Sequence, residues 1–291
     1  MDIRVLRYFL TIAREESISG AADFLHITQP TLSRQIKDLE DELGTQLLIR
    51  GSRNITLTES GLLLRSRAEE IISLVDKTEA EMNISNEIIS GDIYIGSGET
   101  EAIRSIAKIA KDLQKIHPNI KYNLFSGNAD DVKDRLDKGL LDFGIIIEPA
   151  DIKKYDFLRL PTTDTWGVLM RKDNPLSIKE YIEPKDLWNL PLICSAQSTI
   201  FDNLSGWIGK NMNELNIVAT YNLLYNASLM VDEGLGCALC LDRLINTSGE
   251  SNLCFKPLYP ELNVHLDIIW KKYHVFSRAS EIFLEKIREQ L

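Results

Sequence analysis

The chain contains no apolar run long enough to cross a bilayer as a helix, which excludes helical membrane proteins as a class. Its first residues, Met1-Asp2-Ile3-Arg4, lead into an amphipathic helical pattern and not a signal peptide, so the expected compartment is the cytoplasm, with no membrane partner. Cysteine is scarce. Cys194, Cys237, Cys240 and Cys254 are the four in 291 residues, all late and in apolar surroundings, where a reducing compartment keeps them as thiols. Cys237 and Cys240 form a CxxC, but it lies in the strand-like Gly236-Cys237-Ala238-Leu239-Cys240-Leu241 without a second ligand pair, so core packing outweighs metal or redox chemistry. The four histidines, His26, His117, His265 and His274, are scattered without metal-ligand spacing, and no metal or cofactor is expected. A phosphate loop, paired dinucleotide glycines and a GxSxG turn are also missing, so no catalytic residues are assigned and an enzyme is not expected. At this length two or three domains fit.

What is present begins in the first sixty residues. Two short helical patterns pivot around residues 17–36, where Ala21-Ala22 allows close helix packing and Thr28 is a natural cap for a helix with Pro30 in its first turn. Leu32, Ile36, Leu39 and Leu43 recur at four, three and four residues and predict one apolar stripe facing a core. The other face carries Gln29, Thr31, Ser33, Arg34 and Lys37, donors suited to phosphates and base edges in a DNA major groove. A small helical bundle with a solvated polar face fits the helix pair equally well. Beyond Gly44, Leu47-Leu48-Ile49-Arg50, a turn Gly51-Ser52-Arg53-Asn54 and Ile55-Thr56-Leu57-Thr58 predict a two-stranded wing with Arg53 at its tip.

With the wing, the chain resembles the LysR-type transcriptional regulators. Leu6, Phe9, Ala21-Ala22, Leu25, Gln29-Pro30, Ser33-Arg34-Gln35-Ile36, Leu39-Glu40, Leu43-Gly44, Leu47, Arg50 and Leu57-Thr58-Glu59-Ser60-Gly61 carry the likeness. Leu48 departs from it, standing where such proteins usually have Phe. The resemblance implies a winged helix-turn-helix over residues 1–58 that binds promoter DNA through Ser17, Gln29, Pro30, Thr31, Ser33, Arg34, Lys37, Arg50 and Arg53. Charge does not follow the naive expectation for a DNA binder. The net charge is −10, and residues 1–58 hold seven Lys and Arg against eight Asp and Glu, so affinity must come from local placement of Arg34, Lys37, Arg50 and Arg53.

Residues 59–90 read as a linker and dimerisation helix with a hinge at Asn83 to Ser90. Leu64, Ala68, Ile71, Val75, Thr78 and Met82 follow an a/d rhythm that calls for a partner helix; an amphipathic helix lying on its own chain is the alternative. In the LysR-type family the equivalent helix pairs two subunits, which implies a homodimer and, by the same likeness, a homotetramer.

From residue 91 strands and helices alternate. Strands are expected at Asp92 to Gly96, Ile120 to Phe125 and Leu141 to Ile147, with helices from Thr100 to Ile116 and Asp130 to Lys138. Trp166 to Met170, Leu192 to Ser195, Ile217 to Tyr221 and Cys237 to Leu241 outline a second unit, and Asp267 to Trp270 with a last helix returns to the first. This resembles the two-lobed, periplasmic-binding-protein-like sensor of LysR-type regulators. Residues 91–291 are expected to form an α/β effector-binding domain, with lobe I at about 91–162 and 266–291 and lobe II at about 163–265. Ligands of open α/β sheets sit outside the carboxyl ends of strands. Those ends supply Ser97, Gly98, Glu99, Thr100, Ser126, Asn128, Ser195, Gln197, Ser198, Thr199 and Tyr225 as candidate contacts for a small-molecule effector. Helix starts favour a carboxylate ligand, whereas Glu99 at one of them selects for an amine or an amino acid. Trp166 is an aromatic wall or simply core. A solute-binding receptor, or an α/β enzyme with an accessory DNA-binding module, is the alternative function.

Overall fold

Asp2 starts the first helix by accepting a hydrogen bond from the Arg4 amide at 2.7 Å, and α1 runs Ile3–Glu15. A computed structural model describes residues 1–51, 54–82, 89–197 and 204–290. Ser17 caps α2 (Ile18–Phe24), its hydroxyl accepting from the Gly20 amide at 3.2 Å. In α3 (Gln29–Leu43) the expected cap is only positional. Thr28 occupies the capping place, but its hydroxyl pairs with that of Thr31 at 2.8 Å and satisfies no amide. Leu32, Ile36 and Leu39 are buried whereas Leu43 is 41% exposed, so the apolar stripe is one turn shorter than its spacing predicts. The helix stops there, Gly44 turning the chain at φ +66°, and Leu47 and Leu48 fill the core in its place.

β1 (Leu48–Arg50) and β2 (Ile55–Leu57) pair antiparallel to make the wing. Thr58 then starts α4 (Glu59–Met82), accepting from the Gly61 amide at 2.9 Å. A Cβ at Gly61 would lie 2.2 Å from the Leu47 carbonyl oxygen, so only glycine lets the helix begin this close to the wing. α4 packs along α1, with Arg7 paired to Asp76. Its predicted seam divides. Leu64 packs on the core of its own chain and Ala68 is wholly buried, so neither is free for a partner helix; Ile71 and Val75 are half-buried, and Met82 is 81% exposed. A four-three rhythm marks any packed helix face, and α1 packs along this helix. Residues 83–88 of the expected hinge lie outside the described residues. The chain divides into two compact units, Met1–Asn83 and Ile84–Leu291.

In the second unit β3 (Ser90–Ser97) lies parallel to both β4 (Asn119–Ser126) and β5 (Phe143–Ile147), connected through α5 (Ile103–Ile116) and α6 (Ala129–Asp137). The long β6 (Tyr155–Arg171) follows. After it come α7 (Pro184–Leu187), β7 (Leu192–Ser195), helical residues 204–208 (α8), β8 (Ile217–Tyr221), α9 (Leu224–Asp232), β9 (Cys237–Leu241), β10 (Leu253–Pro257), β11 (Asn263–Lys271) and α10 (Arg278–Gln290). The strands join in the order β4-β3-β5-β11-β6-β9-β7-β8, with β10 on β6.

The two lobes share β6 and β11. Residues 155–165 of β6 pair with β11 beside β5, and from Trp166 onward the same strand pairs with β9 and β10. Lobe I buries Ile106, Ile109 and Leu113 of α5 with Phe143 and with Phe283 and Ile287 of α10 on one face of its sheet. Lobe II buries Leu224, Ala227 and Val231 of α9 against Ile193, Ala238 and Cys240. The helix expected from Thr100 begins at Ile103, because the Thr100 hydroxyl accepts from the Ala102 amide and donates to Asp164, which holds Thr100 in a turn before the helix.

Candidate functional site

In the first unit α3 presents its polar face outward. Gln29, Pro30, Thr31, Arg34 and Lys37 are exposed and Ser33 is half-buried, while Ser17 is engaged in capping α2 and meets the Ser19 hydroxyl at 3.1 Å. Arg34 is 83% exposed at its side chain, with Asp38 3.9 Å away, one turn on. An exposed pair this loose leaves the guanidinium available to another acceptor. Arg53, expected at the wing tip, and the side chain of Arg50 lie outside the described residues.

In the second unit the ends of β3, β4 and β5 meet those of β7 and β8 across a cleft. A cavity of about 50 Å³ there is lined by Gly98, Glu99, Gly127, Asn128 and Ile147 from lobe I, and by Ser195, Gln197, Tyr221, Asn222, Leu224, Leu241 and Leu244 from lobe II, with Trp166 where β6 passes between them. A second cavity of about 350 Å³ shares Gly98, Glu99 and Leu244 and adds Ser97, Thr100, Glu101, Ser126 and Arg243. The cleft candidates therefore fall into two groups. Glu99, Asn128, Ser195 and Gln197 line the inner cavity, whereas Ser97, Thr100 and Ser126 line only the outer one. Ser198 and Thr199 lie outside the described residues. Tyr225 lines neither cavity and is 63% exposed, because α9 starts at Leu224 and its first turn points this side chain outward. Trp166 lines the inner cavity, as does Tyr221, the last residue of β8, whose strand-end position is the signal for it.

Several of the hydroxyl and amide groups already have partners. The Ser97 hydroxyl donates to the Gly98 carbonyl at 2.7 Å, and the Asn128 side chain accepts from the amides of Asp130 and Asp131 at 2.9 Å as the cap of α6. Tyr221 donates its phenol to the Leu239 carbonyl at 2.7 Å, and burial pushes its pKa well above the ordinary range. Among the contacts between the lobes, the Glu99 carboxylate of lobe I accepts from the Leu224 amide at the start of α9 in lobe II.

Beside the cleft, Asp164 of β6 is 1% exposed at its side chain and one of its oxygens has no hydrogen-bond partner among the described residues. Burial raises its pKa above 3.8, against the lowering effects of the Thr100 hydroxyl and of Arg243, 4.0 Å away. The folded chain thus holds this proton more tightly than the unfolded chain. Its contribution favours folding at acid pH and is lost as pH rises through the raised pKa. Asp164→Asn keeps an acceptor for Thr100 and removes the buried charge, so it should raise the melting midpoint at neutral pH, with the gain shrinking toward the ordinary carboxylate range. A midpoint lowered at neutral pH would mean that the charge is stabilising where it stands.

Cys194, Cys237 and Cys240 are buried, and Cys254 is half-buried. Burial pushes Cys194 up to about 12 and Cys237 up to about 11, and it raises Cys240 and Cys254 as well.

An exposed helix-turn-helix with a wing, followed by a two-lobed α/β unit with a cleft, defines a DNA-binding protein carrying a ligand-binding domain. Comparison with known proteins gives the family. Residues 3–62 match the model of the bacterial regulatory helix-turn-helix proteins of the lysR family, and residues 87–291 match the LysR substrate binding domain. The chain belongs to the LysR family of transcriptional regulators. It is 27% identical over 295 residues to the uncharacterized HTH-type transcriptional regulator YvbU of Bacillus subtilis, covering 99% of this chain and 98% of that one. It is 32% identical over 296 residues to the hydrogen peroxide-inducible genes activator of Pectobacterium carotovorum, covering 100% and 97%. Among solved structures, full-length CbnR complexed with its target DNA superposes with a TM-score of 0.78 at 18% identity, over 100% of both chains, a likeness of fold. Among the described residues no helix is long and apolar enough to cross a membrane.

Proposed function

We propose that this regulator reads promoter DNA with the outward face of α3 and answers a small-molecule effector held between its two lobes, without catalysing a reaction. The observation that carries the effector reading is the cavity at facing strand ends, walled by both lobes, where a ligand contacts each lobe at once. A ligand shifts DNA binding only as far as it prefers one lobe arrangement over another. On the DNA side, the outward face of α3 supports base readout by Gln29, Thr31, Ser33 and Arg34, with Lys37 and the wing on phosphates. The exposed Leu63, Leu74 and Met82 on α4 support a homodimer, since apolar side chains exposed along one helix favour a second copy. The cytoplasm is the compartment where promoter DNA is met. Retardation of genomic fragments by the purified chain, repeated with candidate metabolites from the operon beside its gene, tests both halves. Failure to retard any fragment specifically would sink the DNA reading, and retardation untouched by every metabolite would sink the effector reading.

One relative is a peroxide-inducible genes activator, yet a peroxide response does not follow for this chain. Peroxide chemistry needs an accessible thiolate, whereas three of these thiols are buried, Cys254 is half-buried, and burial raises the pKa of all four. Titration of the native chain with a disulfide reagent should therefore find far fewer than the four thiols it contains, with all four appearing after unfolding. Hydrogen peroxide should leave DNA retardation unchanged; a shift abolished by Cys254→Ser would overturn this.

A further inference from the structure

Leu223 caps α9 without a polar side chain, and the amide behind it is satisfied from the other lobe: Leu224 N–H donates to Glu99, 125 residues earlier in the chain. An anionic ligand reaching the start of α9 would find its amide taken and a carboxylate in its place, with the helix's positive end already offset. Among the described residues that line the inner cavity, Glu99 is the one that carries a charged side chain. The rest of the wall suits a cation as well. Trp166 and Tyr221 supply aromatic surface, and Tyr221 has committed its hydroxyl to Leu239, which leaves its ring for the wall. Among the described residues the outer cavity holds one cation, Arg243, set beside two acids. Its Arg243 already lies 3.7 Å from Asp242 and 4.0 Å from Asp164, and its Glu101 is paired with Arg104.

We propose that Glu99 makes the interlobe cleft selective for a small ligand bearing an organic cation, an ammonium group above all, and turns carboxylates away. The inference rests on the cleft being the effector site. One Glu99 oxygen accepts from Leu224 and the other has no hydrogen-bond partner among the described residues, so an ammonium group bound there adds a contact without breaking the one between the lobes.

Isothermal titration of the full-length chain with matched probes tests this: isobutylamine against isobutyrate, and benzylamine against benzoate. The wild type should bind each amine about 10-fold or more tightly than its carboxylate partner. Glu99→Gln keeps an acceptor for Leu224 and removes the charge, so it should lose that preference. Gln197→Trp fills the cleft from a loop and should abolish amine binding, with an unchanged melting midpoint showing that the variant is folded. Carboxylates that bind the wild type as well as amines do, or a Glu99→Gln chain that keeps the amine preference, overturn the proposal. If such binding is still blocked by Gln197→Trp, the cleft stands as the effector site and only its charge selection falls; binding indifferent to Gln197→Trp removes the cleft reading itself. Failure of all four probes to bind also overturns the assignment.

Discussion

Arg34→Ala should weaken retention of the chain on its operator by about 10-fold or more, within the range of a guanidinium that makes a bidentate contact with guanine. The side chain is 83% exposed and its nearest acid, Asp38, is 3.9 Å away, so its loss removes little from the fold and the melting midpoint should stay where it was. Gln29→Ala, at the first position of α3, should act in the same way through an adenine edge. Lys37→Ala should differ in kind: a phosphate contact weakens binding evenly across sequences and lowers the salt slope by about one. Fluorescence anisotropy on operator and scrambled duplexes at several salt concentrations separates the two behaviours. If Arg34→Ala and Gln29→Ala both bind operator like the wild type, α3 is not the reading helix.

The DNA-binding half was legible because its chemistry is local. The Ala21-Ala22 contact and the end of α3 at Gly44 are each determined by neighbours within a few residues, and spacing finds them, whereas the Ser17 cap of α2 goes unread and the Thr28 cap is only positional. Spacing failed where the outcome depends on which surface arrives to cover a face. Leu43 fits the stripe of α3 but lies one turn beyond the core, and Ala68 fits a partner seam but is buried within its own chain. In the second unit, β7, β8 and β9 are short apolar runs bounded by turns, and they lie where the pattern puts them. The first half of β6 escaped notice because Pro161 and the Thr162-Thr163 pair disguise a strand that β11 pairs with along one edge. Strand ends pointed to the cleft, but no local signal shows that Glu99 meets α9. That contact joins residues far apart in sequence and exists only once β6 and β11 have brought the lobes together.

Replacing Phe143 with alanine should cost the second unit about 3–5 kcal/mol, the usual range for deleting a fully buried aromatic ring. Phe143 is 0% exposed in β5, with its ring stacked 5.1 Å from Phe276 and tilted 5.3 Å from Phe283 of α10, and Trp270 of β11 lies at 6.4 Å. No single neighbour can close that void, because the ring touches a loop, a helix and a strand at once and each is held by contacts elsewhere in the lobe. For a unit of this size the loss should lower the melting midpoint by roughly 6–20 °C. Phe157→Ala is the matched control: on β6 and 49% exposed, it removes the same atoms from a site that water already reaches, and a small shift is expected. The substitution also reaches the cleft. β5 ends at Ile147, whose side chain lines the inner cavity, so loosening the layer between β5 and α10 should blunt any ligand-induced rise in the midpoint along with stability itself. Scanning calorimetry of the three chains gives the comparison directly. Equal midpoints for Phe143→Ala and wild type would mean that the aromatic cluster of lobe I does not hold α10 against the sheet.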